Sequence, residues 1–409
     1  MYKLAKRING ISIEFHELVR LINSVLVFLY LILLIVGSVS SITSLILLVT
    51  IIALPTINFK ELTKYDYFFF VSWLLFGLYH ASHIYILEMQ LNSGVEKYLK
   101  FIAGALYYLM IRQYGLYEKF IYFGALIGGA IASFFVMYQV YGLDYSGRVG
   151  LGHNPISFGT IMCLYAAIAM CGASVFNNYM RYFFILASFV FIIMSFYSGT
   201  RNLYFVYVLL FLYFLYLNKG FFYTNIFSWR AYLFLMLVFL SILGMGVFNN
   251  DMVEKRFENT YSEVELIKKG DLSSSFGQRL QMWDAGIYLF KERPVFGHGE
   301  NRQTLSLALE SFLEEKGYFS NIMIRYSHFH NSFIDHMAKF GLIGLILYIL
   351  IFYFAVKGVS LDRKSSLLIV VLLIYIIGSF TNVPFSQNRT MMTFIIMVVC
   401  LRARCFVKT

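Results

Sequence analysis

Apolar runs of about 17–25 residues recur along the chain with short polar breaks between them, the length a helix needs to cross a hydrocarbon layer about 30 Å thick. They fall near 20–36, 40–56, 67–86, 98–114, 118–140, 153–176, 180–198, 202–218, 231–248, 331–357, 365–381 and 388–402. The pattern predicts an all-α, polytopic integral membrane protein of about twelve transmembrane helices. One long polar break interrupts it and divides the chain into a first group of spans (1–248), a loop (249–330) and a last group of spans with a tail (331–409). No internal repeat or low-complexity tract is visible.

The long loop is too patterned for a passive connector. Ser273 to Ser275 read as the N-cap region of a helix running through Arg279, Leu280, Met282, Trp283, Ile287 and Phe290 at helical spacing. After a break at Pro294 and Gly297, Arg302 to Lys316 reads as a second amphipathic helix, with Leu305, Leu307, Leu309 and Phe312 on its apolar side. Together they predict a small helical lid over the membrane domain.

Composition strengthens the membrane reading. The 409 residues are 59% hydrophobic and 13% charged, with a mean hydropathy of +0.70, far from the balance of a soluble domain. The net charge of +11 then speaks of topology before nucleic acid. Most Lys and Arg fall in one set of short loops and the two tails, while the opposite loops hold Lys97, Lys100, Arg148, Arg201 and Arg389. The positive-inside bias therefore puts both termini in the cytoplasm and the long loop on the outer face, the periplasm of a Gram-negative cell. The first apolar run leads through Ser38–Ser41 straight into a second, which reads as an uncleaved anchor. Cys163, Cys171, Cys400 and Cys405 lie in or at the ends of apolar spans, so no disulfide framework is expected.

Candidate chemistry gathers where the loop meets the tenth span, at Ser327-His328-Phe329-His330-Asn331. Three of the eight histidines, His328, His330 and His336, lie within nine residues of each other there. Imidazole titrates near neutrality, so His328 or His330 suits a general base that takes a proton from an acceptor hydroxyl, with Asn331 or the second imidazole orienting it. In an extended segment, residues two apart face one side. The competing reading is a helix start, Asn331 or Ser332 as N-cap with Asp335 at N3, which leaves both histidines unexplained. His336, a turn deeper, reads as structural. No ligand spacing marks a metal site, and no cofactor is expected. Arg148, Arg201 and Arg389 sit at span ends against the positive-inside bias, and with Arg279 from the lid they would line an anionic-ligand mouth suited to phosphate. The plainer alternative for each is an interfacial or surface arginine. His153, before Pro155, reads as part of a helix start, and Gly341 and Gly344 as packing positions.

These motifs resemble the superfamily of O-antigen ligases and polymerases, integral-membrane glycosyltransferases that use lipid-linked glycans. His330-Asn331 followed by Gly341-Leu342-Ile343-Gly344 is similar to the ligases' H-N-x9-G-x-x-G signature, with His328 completing H-x-H-N. Thr200-Arg201-Asn202, Ser274-Ser275-Phe276-Gly277-Gln278-Arg279-Leu280, Arg148-Val149-Gly150 and Arg389 fall in the family's order, over roughly residues 145–400. The resemblance implies metal-independent, inverting transfer of O-antigen polysaccharide en bloc from undecaprenyl diphosphate to lipid A–core on the periplasmic face of the inner membrane. It carries His330 over as base, His328 as the alternative, and the arginines as diphosphate ligands. An O-antigen or capsule repeat-unit polymerase is the alternative within the superfamily. A transporter would place charge at mid-membrane depth in several spans, whereas here it clusters at the outer mouth.

Overall fold

A computed structural model describes residues 7–8, 11–35, 37, 39–89, 92–217, 262–318, 328–360, 362 and 365–406. The span expected at 231–248, the start of the long loop to 261 and Ser327 lie outside these residues. A two-residue antiparallel pair, β1 (Arg7–Ile8) with β2 (Ile11–Ser12), precedes the helices. Eight helices follow: α1 (Ile13–Leu33), α2 (Ser40–Ala53), α3 (Lys64–Glu88), α4 (Ser93–Tyr114), α5 (Lys119–Met137), α6 (Pro155–Val175), α7 (Asn178–Phe196) and α8 (Asn202–Leu217). The expected lid contributes α9 (Ser275–Glu292) and α10 (Arg302–Lys316), and α11 (Ser332–Val356), α12 (Ser366–Thr381) and α13 (Asn388–Phe406) follow it.

The described chain is an all-helical, multi-pass membrane protein. Among the described residues six helices are long and apolar enough to cross a membrane: Glu14–Leu33, Lys64–Glu88, Lys119–Gly142, Pro155–Val175, Tyr179–Phe196 and Ser332–Val356. Ser40–Thr56, Leu203–Tyr213 and Ser366–Thr381 are apolar but shorter.

Local chemistry sets the boundaries. Thr63 and Asp66 form a reciprocal capping box at α3, Asn92 caps α4, and Asn154 caps α6 ahead of Pro155 at the first helical position. His153 instead reaches the carbonyl of Ile35 at 3.0 Å. Ser274 caps α9 and Asn301 caps α10, which ends at a left-handed Gly317. The lid helices thus lie where the periodicity placed them, with one correction. Leu307 is 69% exposed, and the buried stripe of α10 runs through Leu305, Leu309, Phe312 and Leu313, the i, i+4, i+7, i+8 face.

Two cores organise the molecule. The large one fills the space between the membrane helices. The small one joins Met282, Ala285 and Leu289 of α9 to the α10 stripe and also takes in Phe329 and Ala338. Phe329, between the two histidines, is fully buried, so the histidine segment is pinned by the lid rather than left as a free connector.

The lid is held to α11 by backbone. α11 breaks at Gly341, where φ is 64° and ψ −162°. Leu342 N donates to Pro294 O (2.8 Å), His298 N to Ala338 O (3.0 Å) and Gly299 N to Lys339 O (2.8 Å). Any Cβ on Gly341 would meet the Val295 backbone, and its left-handed φ independently favours glycine. Gly341 therefore serves a backbone break and a strap from the lid, not the close helix–helix packing its spacing suggested.

Candidate functional site

The turn between α7 and α8 places the first arginine. Gly199, at φ 60°, closes it with Gly199 N donating to Phe196 O (2.8 Å). Ser198 Oγ donates to Thr200 Oγ1 (2.9 Å), and Arg201 follows at the mouth of α8. The Arg148 segment is tied to the same turn: Val149 N donates to Tyr197 O (2.8 Å) and Arg148 Nε to Ser198 O (2.8 Å). Arg279 comes from the first turns of α9, where the Ser274 hydroxyl accepts from Gly277 N at 3.1 Å. A Cβ at Gly277 would press on the Leu272 backbone at 2.6 Å, so glycine here lets the cap close and aims the following turn.

Arg148, Arg201 and Arg279 thereby line one cavity of about 400 Å³, together with Thr200, Phe205, Glu263, Phe380 and Asn382. Glu263, from a helical stretch over 262–268, meets the Arg201 guanidinium with both carboxylate oxygens, at 3.3 and 3.4 Å. No sequence motif marked it. A carboxylate in bidentate contact occupies the geometry that phosphate oxygens take on arginine.

Arg389 is not brought to this cavity. Its guanidinium donates to Leu34 O (2.6 Å), Ile35 O (3.2 Å) and Gly37 O (2.8 Å), which satisfies carbonyls at the end of α1 and ties α13 to it.

The histidine segment adjoins the wall of the cavity. Asn331 caps α11, its Oδ1 accepting from Phe333 N (3.0 Å) and Ile334 N (3.2 Å), while its Nδ2 donates to Phe380 O (3.2 Å). Ser332 Oγ donates to Asn382 O (3.2 Å). The helix-start reading is thus correct for Asn331 but not for Asp335, which falls one position beyond N3. Asp335 Oδ1 accepts from Phe329 N (3.1 Å) and forms a buried pair with Lys339 at 2.9 Å. His336 takes the structural role, with Nδ1 2.7 Å from Ser332 O and its ring stacked on Tyr348.

His330 holds a left-handed backbone, φ 52°, so the segment is not the regular extended strand that would align both imidazoles. The rings meet edge to face instead, with centroids 4.3 Å apart, and His330 N lies 3.4 Å from His328 Nδ1. A non-glycine residue in this region costs about 1–3 kcal/mol and persists where its surroundings over-determine it, here the buried Phe329 on one side and the Asn331 cap on the other. The two imidazoles face different charges. Burial lowers His328, against the pull of Asp335 and with Lys339 opposing protonation. Burial, then His328 and Arg279, hold His330 at about 3. His330 therefore feels Arg279 of the cavity, with Asp335 pulling the other way, and His328 the Asp335–Lys339 pair. Among the described residues no group of three or more His, Cys, Asp or Glu is arranged to hold a metal ion.

The sequence of residues 182–349 matches the family model described as O-antigen ligase. That stretch is similar to the O-antigen ligase family. The matched stretch includes Arg201, Arg279, His328, His330 and Asn331, with α9, α10 and the first part of α11, while Arg148 and Arg389 lie outside it. A Haemophilus influenzae protein described as uncharacterized is 26% identical over 151 residues, 34% of this chain and 36% of its own length. The chain thus aligns with little more than a third of that relative. The stretch similar to the O-antigen ligase family contains both the histidine pair and two of the three cavity arginines.

Proposed function

We propose that this protein is a metal-independent, inverting glycosyltransferase that moves O-antigen polysaccharide from undecaprenyl diphosphate to lipid A–core on the periplasmic face of the inner membrane, with both termini cytoplasmic. The observation that carries the reading is the convergence of Arg148, Arg201 and Arg279 on one cavity beside a strained histidine that senses Arg279. The diphosphate binds the guanidinium groups, displacing Glu263 from Arg201. His330 takes the proton of the acceptor hydroxyl as its oxygen attacks the anomeric carbon. The bond from that carbon to the diphosphate oxygen breaks, and its electron pair leaves with the diphosphate. The arginines stabilise the charge that builds there, and do so best in a site from which the lid excludes water. His328 and Asn331 fix the position of His330. Residues 249–330 act as the lid and the flanking groups of spans as the membrane domain.

The electrostatics fit this sequence of events. With its pKa near 3, His330 is neutral and ready to accept a proton before substrate arrives, but it is a weak base. A bound dianion neutralises Arg279, one of the charges that depress it, and so raises its basicity once the donor is in place. In the free enzyme kcat/KM should stay flat as pH falls through about 6.5, because His330 protonates only well below that. An acid limb near 6.5 that disappears with His330 substituted would show its imidazole titrating at the ordinary value and would overturn the depression, not the role as base. The same depression makes the neutral imidazole a source of stability above pH about 6.5, lost progressively as pH falls toward the folded-state value.

Deleting the gene and analysing the cell's glycans tests the reaction. Loss of all capped lipid A–core, with long chains remaining on undecaprenyl diphosphate, is the expected result. Lipid A–core bearing single repeats would instead identify the repeat-unit polymerase of the same superfamily.

A further inference from the structure

Two further cavities meet in the N-terminal halves of α2, α4 and α13. The first is an apolar cleft of about 290 Å³ lined by Ile46, Leu47, Ala103, Gly104, Ile395 and Ile396. All three helices start at one end of it. On α2 its lining runs from Ser40 to Thr50, ten residues or about 15 Å of helix rise, which is about half the depth of a hydrocarbon core. The second is a polar cavity of about 610 Å³ lined by Glu88, Asn92, Lys97, Glu300 and Asn301 among others. Lys100 and Asn388 line both, with Lys100 Nζ 2.8 Å from Asn388 Oδ1.

An apolar cleft that opens into a polar chamber, with a cation at the seam, is shaped for an amphiphile. The chamber is not simply basic. Its lysines and arginine alternate with carboxylates and carboxamides, so it offers both donors and acceptors, the chemistry that holds sugar hydroxyls rather than a bare phosphate. Glu300 shows an open valence: one carboxylate oxygen takes Lys97, while the buried Oε2 has no hydrogen-bond partner. A buried carboxylate oxygen left unsatisfied is costly, and a ligand hydroxyl would relieve it.

The chamber is also wired to the histidines. Glu300 follows Gly299, whose N–H bonds to Lys339 O. Lys339 pairs with Asp335, and Asp335 holds Phe329 N, between His328 and His330. The arginine cavity reaches the same segment through Asn331 and Ser332.

We propose that the cleft and chamber seat the lipid-borne acceptor, a phosphorylated glycolipid with its hydrocarbon chain in the cleft, its phosphate at Lys100 and its sugars against Glu300, Asn92 and Asn301. That this lipid is the acceptor rests on the transferase reading above; its binding does not. Hydrocarbon gains little by leaving a bilayer for an apolar cleft. The cleft therefore positions the chain, and the polar seam selects the headgroup.

The full chain, purified into nanodiscs containing lipid A, phosphatidylglycerol and phosphatidylcholine, tests this by mass spectrometry of retained lipid. The protein should keep lipid A in preference to both phospholipids. Lys100→Ala, Glu300→Gln and Ser44→Trp, the last plugging the cleft from its exposed edge, should each lower that retention by about tenfold, with Lys291→Ala, exposed on α9, leaving it intact. Retention that survives Lys100→Ala and Ser44→Trp overturns the proposal, as does phosphatidylglycerol held as well as lipid A. Failure of the transferase reading looks different: no glycan transfer by the wild-type protein, with the lipid-retention pattern unchanged.

Discussion

His330→Ala is expected to lower the rate of glycan transfer by about 10²–10⁴-fold, the range a positioned general base contributes. Binding of the lipid-linked donor should be preserved, because the proposed diphosphate ligands are arginines on other elements. His328→Ala should cost less and act through position: its imidazole lies edge-on to His330 and close to the His330 backbone N–H. Steady-state kinetics on both variants in proteoliposomes separates these roles, with His330→Ala showing a fall in kcat at unchanged donor KM. Full transfer by His330→Ala, in protein that still inserts in the membrane, removes the residue from the chemistry. A greater loss in His328→Ala than in His330→Ala exchanges their assignments.

Removing Arg201 or Arg279 should be comparably severe, about 10²–10³-fold in kcat for each, as for other groups aimed at developing negative charge. Here the donor KM should rise as well, since in the proposed reaction both guanidinium groups contact the diphosphate before and during bond breaking. Arg279→Lys should recover only part of the loss, because an ammonium keeps the charge but not the planar fork. Arg389→Ala serves as the contrast. Its guanidinium caps carbonyls of Leu34, Ile35 and Gly37, so its loss should lower thermal stability while leaving the donor KM of the remaining folded protein close to wild type. Arg201→Ala or Arg279→Ala with wild-type donor KM and kcat would remove the diphosphate site from this cavity. Glu263→Gln is informative in the same assay: with less competition for Arg201, donor binding should tighten.

How much of this was legible in the chain depends on whether a feature is local. Helix existence and the lid helices follow from apolar period and caps: Ser274, Asn301 and Asn331 each cap the helix that begins beside them. These signals act within one turn, so sequence carries them. Leu307 marks the limit. Its hydrophobicity suggested burial, yet at 69% exposed it lies off the stripe that faces the small core, because only packing partners decide which apolar residues a short helix buries. Arg389 marks another. Its position at a span end resembled that of Arg148 and Arg201, but the neighbour it meets is the end of α1, more than 350 residues away in the chain, and no local pattern reveals that.

By itself the sequence determined an all-helical membrane protein, the places of its lid helices and a short set of chemically capable residues. It did so because hydropathy, capping and motif order are properties of consecutive residues. Only the tertiary structure decided which arginines meet, that Glu263 sits on Arg201, that the His330 backbone is left-handed, and that Gly341 serves a strap from the lid. Each of these is set by the approach of segments distant in the chain, where shape and charge are satisfied jointly and no single segment contains the answer.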